Sequence, residues 1–285
     1  MKKIAIAGST GYLGKCLVKE AIEQNIQTNA IARNLLKLNA FEANTLQKTK
    51  ADVTNPETLK GIFDGVDTLI STVGITRQKD GLTYLDVDYG ANYNLLVEAQ
   101  KAGVRKFIYI SAFKGNEMRH LKMVDAKERF VDELKSAGID YTIIRPTGFF
   151  SDMSDFLKMA EGGKVYLFGS GNLKLNPIHG DDLAKVCFSA IDSSEKEINV
   201  GGPETFTHNQ LGELALKTLN KPVKIVHLPG WIRLVTIWGA RTFSSLSVYG
   251  PMEFFLTAMA INMEAPKYGR KRLKDFFEQK KQRKK

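Results

Sequence analysis

"KIAIAGSTGYLGKCLVKEA", residues 3–21, decides the fold. The apolar run to Ala7 reads as a strand, the residues after Tyr12 as a helix, and the turn between them carries Gly8, Gly11 and Gly14. Each glycine of this G-x-x-G-x-x-G has its own use: Gly8 permits the tight turn, Gly11 lets the backbone approach a pyrophosphate, and Gly14 lets helix and strand pack closely. Phosphates would then lie on the helix N-terminus, where unpaired N–H groups and the dipole favour anions. A lone glycine triplet is a weak signal. Here it closes the first strand and opens the first helix, which is the context a dinucleotide site requires.

Outward from that turn, short β-rich runs alternate with helical patterns. Residues 3–8, 28–33, 45–53, 67–74, 106–111 and 140–147 read as strands, with helices near 12–24, 56–64, 86–102 and 119–137. Such alternation predicts an α/β protein, a Rossmann-type doubly wound parallel sheet. The second half is less regular, with helix candidates at 180–191 and 208–219. It reads as a smaller, interleaved C-terminal substrate lobe. The expected boundaries are 1–150 for the dinucleotide-binding domain with a return segment at about 174–200, 151–266 for the substrate lobe, and 267–285 for a basic tail. Residues 231–263 form the most apolar stretch, interrupted by Arg233, Arg241 and Glu253, and read as buried helices capping that lobe or as an interfacial surface. Trp231 and Trp238 read as packing residues.

The net charge of +10 points to nucleic acid only until it is located. Residues 267–285 hold ten Lys or Arg against Asp275 and Glu278, leaving about +2 on the other 266 residues. No specific nucleic-acid binding is expected. The tail reads as a solvated terminus, with a peripheral membrane or an acidic partner as the alternatives. Cys16 and Cys187 are far apart and the four histidines are scattered, so neither a disulfide framework nor a metal site is expected. The opening residues have no signal-peptide pattern, and the expectation is a cytoplasmic protein, monomer or homodimer.

The second strand ends in Arg33, with no acid before Glu42. A carboxylate there would bind an NAD ribose; a guanidinium, with Lys37 nearby, suits the 2′-phosphate of NADP(H). The remaining cofactor residues are expected in the turns: Thr10, Tyr12 and Leu13 beside the glycines, Asp52 and Val53 flanking the adenine, Val73 and Gly74 beneath the riboses. Pro146 and Phe149, in "RPTGFF", are expected to wall the nicotinamide and substrate pocket.

"HLKMVDAKERF", residues 120–130, raises a second question. Met123, Ala126, Phe130, Val131, Leu134 and Ala137 follow the spacing of one buried helix face, and Lys127 falls within that stripe. Glu128, Arg129, Asp132, Glu133 and Lys135 are expected on the opposite side.

With "GSTGYLG", "DYGANYNLLVEAQKAGVRKFIYIS", "AKERFVDELKSAGIDYTIIRPTGFF" and "NPIHGDDLAKV" in view, the chain resembles the atypical short-chain dehydrogenase/reductases, close to their NmrA-like and divinyl-reductase-like branch. The resemblance implies an active site of a serine, a Tyr-x-x-x-Lys pair and an upstream asparagine. Ser111 matches the serine, Lys127 the lysine, Asp88 stands for the asparagine, and Met123 occupies the tyrosine's place. Met123 cannot donate a proton. The lysine's implied remaining role is to hold the nicotinamide ribose beside the reacting carbonyl. Candidate proton donors are His120, Tyr84, Tyr89 or water; the bland readings are a loop histidine and packing tyrosines. His179 reads as structural, with Asp181 or Asp182 capping the following helix. The expected activity is an NADPH-dependent oxidoreductase acting on a carbonyl or activated alkene of a small apolar substrate. The alternative is a non-catalytic NADP-binding redox sensor or a membrane-associated assembly protein.

Overall fold

The computed structural model describes residues 2–75 and 81–282. The chain divides into two compact units, Met1–Arg145 with Leu183–Ile198, and Pro146–Asp182 with Asn199–Lys285. The sequence reading placed the first change at 150 and the return segment from about 174.

The first unit is built on β1 (Lys3–Ala7), β2 (Gln27–Ala32), β3 (Leu46–Lys50), β4 (Thr68–Ser71), β5 (Lys106–Ile110) and β6 (Asp140–Pro146). With β9 (Glu197–Val200) they form one seven-stranded sheet in the order β3-β2-β1-β4-β5-β6-β9. The registered pairs from β3 through β6 are parallel. Ile4, Ala5, Ile6 and Ala7 are fully buried, as a strand covered on both faces must be. The order reverses direction between β1 and β4, and their C-terminal ends open there into the crevice where such sheets bind ligands.

Helices α1 (Tyr12–Glu23), α2 (Asn92–Lys101) and α3 (Lys122–Ser136) flank these strands. The core on the α2 and α3 side gathers Phe107, Tyr109, Phe130, Leu134, Leu95 and Ile143. Three predicted elements are shorter than expected. Residues 56–64 hold only a 3-10 turn at Pro56–Leu59, the fourth strand stops at Ser71 so that Thr72–Gly74 form a loop, and α2 is preceded by a π-helical turn at Leu85–Ala91.

The second unit contains β7 (Val165–Phe168) paired in parallel with β11 (Ile225–Leu228), and β8 (Lys174–Leu175) antiparallel to β10 (Phe206–Thr207). Its helices are α4 (Ser154–Glu161), the first three residues of α5 (Gly180–Ser189, which from Leu183 on belongs to the first unit), α6 (His208–Thr218), α7 (Gly230–Phe243), α8 (Leu246–Ala258) and α9 (Leu273–Gln282). Thr207 caps α6 in a reciprocal capping box with Gln210. One expectation is corrected here. The tail is not a frayed terminus through residue 282, because α9 buries Leu273 and Phe277 completely. At the α5 start His179 Nδ1 accepts the Asp181 amide at 3.1 Å, and Asp182 accepts the amides of Arg270 and Lys271 at 2.9 Å.

Gly14 is the tightest point of the first turn. A Cβ there would lie 2.1 Å from the Gly8 carbonyl oxygen and 2.7 Å from the Ser9 Cα, both rigid backbone atoms. Gly14→Ala is therefore expected to destabilise the protein by more than about 2 kcal/mol, read as a lowered midpoint in urea with an unchanged slope.

Candidate functional site

Gly8 leaves β1 with φ +80°, a conformation L side chains avoid, and a Cβ there would meet Thr72 Oγ1 at 2.6 Å. The chain therefore turns sharply at the strand end and brings Gly8 against the loop after β4. Gly11 then enters α1 with no side-chain cap and with no acid in the first helical turn. The positive end of the helix is left facing the crevice.

A groove runs across this point, lined by Gly8, Thr10, Gly11, Arg33, Asp52, Val53, Val73 and Gly74, together with Ile31, Ala32, Thr54, Thr72 and Ile75. Eight of the residues expected from the sequence to hold a cofactor thus meet in one cleft. Tyr12 and Leu13 open α1, Leu13 with its side chain in the core. Arg33 is exposed, immediately after β2. Asp52 Oδ1 accepts both the amide and the hydroxyl of Thr54, which fixes the turn after β3. Pro146 and Phe149 belong to the second unit, where the Phe149 amide donates to Asp152 at 3.1 Å.

Beyond Gly74 lies the ion pair. Lys127 Nζ stands 2.7 Å from Asp88 Oδ1, with Asp88 fully buried. A Cβ on Gly74 would come within 2.6 Å of both atoms, so the ammonium and the carboxylate stand directly behind the groove wall. Asp88 comes from the π-helical turn, a local widening that often marks a functional site. Its other oxygen accepts the Ile75 amide at 3.2 Å. Asn92, fully buried, donates to the carbonyls of Val73 and Asp88 and accepts from Ser71. The loop carrying Gly74 is thereby tied to the turn carrying Asp88.

Burial alone would lower the proton affinity of Lys127, but Asp88, helped by Tyr109 and Glu128, more than offsets it and raises the pKa. Burial raises that of Asp88, with Lys127 and the Ile75 amide opposing. Lys127 is thus a tightly held ammonium, a hydrogen-bond donor and positive charge that releases its proton reluctantly.

Ser111 is held elsewhere. Its hydroxyl donates to Glu128 Oε1 at 2.7 Å, and Glu128 makes a two-pronged pair with Arg145, 2.6 Å from Nη1 and 2.9 Å from Nη2. Arg145 continues to Glu197 at 3.0 Å and to the Ala112 carbonyl at 3.2 Å. Glu128 was expected on the solvent side of α3, and that expectation is corrected: it is fully buried. Arg145 gave the signal, since an arginine inside an otherwise apolar strand run needs a buried partner. Met123 is buried one turn before Lys127, as its spacing implied. Of the candidate donors, His120 is exposed and precedes α3, Tyr89 donates to Glu133 at 3.3 Å, and Tyr84 is buried. Tyr109, missed by sequence reasoning because it alternates like any core strand residue, is fully buried below Lys127. Its hydroxyl has no hydrogen-bond partner among the described residues, and Lys127 Nζ lies 5.9 Å from its ring centre.

A protein family described as NAD(P)H-binding matches residues 8–194. The chain is 27% identical to the chloroplastic divinyl chlorophyllide a 8-vinyl-reductase of Arabidopsis thaliana, over 96% of this chain and 75% of that one. It is 24% identical to a photosystem II assembly factor of Synechocystis, over 80% and 71%. An Escherichia coli NADPH-dependent quinone oxidoreductase, solved with NADPH, has the same fold, with a TM-score of 0.72 and 20% identity over 97% of this chain and 99% of that one. Among the described residues no group of His, Cys, Asp and Glu could hold a metal ion.

Removing one partner of the Glu128–Arg145 pair leaves a charge buried without compensation. Glu128→Ala is expected to cost about 3–5 kcal/mol, and the double change Glu128→Leu with Arg145→Met much less. Urea unfolding of the two variants checks the difference.

Proposed function

Because the chain belongs to the NAD(P)H-binding family, we propose that it is an NADPH-dependent reductase of a small, apolar organic substrate bearing a carbonyl or an activated alkene. The observation that carries this reading is the Lys127 ammonium, fixed by Asp88 directly behind Gly74 at the wall of the glycine-turn groove. Gly8, Gly11 and the α1 N-terminus form a cradle suited to a pyrophosphate, and a Cβ at Gly8 would collide with Thr72 in the groove lining. The residues present therefore fit a dinucleotide.

When bound, the reduced cofactor supplies a hydride. Arg33 would answer a 2′-phosphate, Asp52 and Val53 would hold the adenine, and Val73 and Gly74 would hold the riboses. Lys127 donates hydrogen bonds to ribose hydroxyls and places a positive charge where an oxygen of the substrate becomes negative. Its raised proton affinity suits holding rather than giving. Ser111 spends its hydrogen on Glu128. In this reading the substrate's proton comes from water ordered by the ammonium. The vinyl-reductase and quinone-oxidoreductase names of two similar proteins support an unsaturated or carbonyl-bearing acceptor.

A second reading, an NADP-binding sensor or assembly protein without turnover, is favoured by Met123 in the tyrosine's place and by the likeness to an assembly factor.

Calorimetry is expected to show NADPH bound at least about tenfold more tightly than NADH, a preference lost in Arg33→Ala. Equal affinities in the unaltered protein would remove the role given to Arg33. Lys127→Ala is expected to abolish NADPH oxidation across a panel of carbonyls and enones, with Asp88 taking up a proton in compensation. Undiminished turnover in that variant would sink the assignment. Absence of turnover in the unaltered protein, with tight NADPH binding retained, would favour the sensor.

A further inference from the structure

Helix α7 has not one buried residue. Its sequence, GWIRLVTIWGARTF, is mostly apolar, and its large exposed side chains are Trp231, Leu234, Val235, Trp238 and Phe243. The first four recur at i, i+3, i+4 and i+7, so they share one face of the helix. Both tryptophans are 64% exposed and Phe243, at the turn into α8, is 81% exposed. The core-facing stripe expected of a surface helix is thus turned outward. Scattered exposed apolar residues need no explanation, but a contiguous aromatic stripe along a whole helix does.

Charge identifies the occupant. From Leu214 to Met252 the chain has no Asp or Glu, while it has Lys217, Lys221, Lys224, Arg233 and Arg241. The next acid, Glu253, is buried and paired with Arg241, which ties α7 to α8 and leaves no exposed negative charge on the hairpin. A second copy would set this acid-free stretch against itself, with no exposed carboxylate to answer its lysines and arginines. A stripe of Trp, Leu and Val edged by arginine matches the boundary between lipid headgroups and acyl chains, where Trp rests with its ring in the apolar layer and its N–H in the wet one. Fourteen residues are too few to span a bilayer, and no helix of the described residues is long and apolar enough to cross one.

We propose that the outward face of α7 docks the protein on the surface of an anionic lipid bilayer, with Trp231, Leu234, Val235 and Trp238 inserted at the headgroup level. This site is separate from the basic tail, whose helix α9 is committed to the core through Leu273 and Phe277. It does not depend on the reading of the groove.

The chain contains two tryptophans, and both lie on this face, so intrinsic fluorescence reports on it alone. The full chain is titrated with phosphatidylcholine vesicles and with vesicles containing about one third phosphatidylglycerol. The expected result is a blue-shifted emission and co-sedimentation with the anionic vesicles, both weakened by high salt. Leu234→Asp, which keeps both reporters, is expected to lower the vesicle affinity at least about tenfold with an unchanged melting temperature. Emission that ignores vesicles, or equal binding to both compositions, would overturn the proposal. A blue shift that grows with protein concentration without lipid, accompanied by dimers in sedimentation, would overturn it in favour of a second copy. Should Leu234→Asp melt early, the salt dependence of the unaltered chain decides.

Discussion

An ammonium can stay inside a protein only if a carboxylate goes with it, and that constraint organises the first unit. Lys127 lies on the apolar stripe of α3, and Asp88 is fully buried to meet it. To deliver Asp88, the chain before α2 widens into a π-helical turn. To leave room for both charged atoms, the loop after β4 carries a glycine at position 74. To hold that loop, Asn92 reaches back to Val73 while Asp88 takes the Ile75 amide. Three separate segments, the loop after β4, the π-helical turn and α3, are thus positioned by one pair of opposite charges. The pair is costly to desolvate, and such a cost is tolerated where the charge has a use beyond stability.

A second pair, Glu128 with Arg145, lies one residue further along the same helix. Neighbouring helical residues differ by about 100° in direction, so Lys127 and Glu128 leave α3 on different bearings: one meets Asp88 behind the groove wall, the other meets Arg145 at the end of β6. Ser111 falls to the second of these. One helix therefore serves the site and the scaffold with adjacent residues, and the serine is fixed by the scaffold half.

Much of this was legible in the residues. The glycine turn, the buried β1 run and the strand–helix alternation gave the sheet, because each depends on local rules of turn geometry and periodicity. The groove residues followed, since in a doubly wound sheet the strand ends that meet at the reversal point are known once the order is known. What stayed hidden is non-local. Glu128 looks like a surface residue by spacing, and only Arg145 from another strand explains its burial. Asp88 was named through the family resemblance, but its burial, and the part played by Asn92, depend on a π-turn that leaves no periodic trace. Tyr109 alternates like its neighbours and differs from them only in a hydroxyl left without a described partner. For the apolar run 231–263 composition left burial and an exposed apolar surface both open, and the fold divides them: α7 buries no residue, while α8 buries Gly250, Glu253 and Leu256.

The order in which the chain becomes available sets a further condition. The first unit needs Leu183–Ile198 to complete it, long after its glycine turn has been made. The second unit waits longer still. Leu273 and Phe277 fill its core, and Asp182 receives the amides of Arg270 and Lys271 from nearly ninety residues downstream. Until residues 270–277 have been made, Asp182 lacks these two amides and the core has two unfilled positions. Final closure of the second unit therefore waits for residues 270–277, and a nascent chain stalled before them would present an open apolar seam to chaperones and proteases.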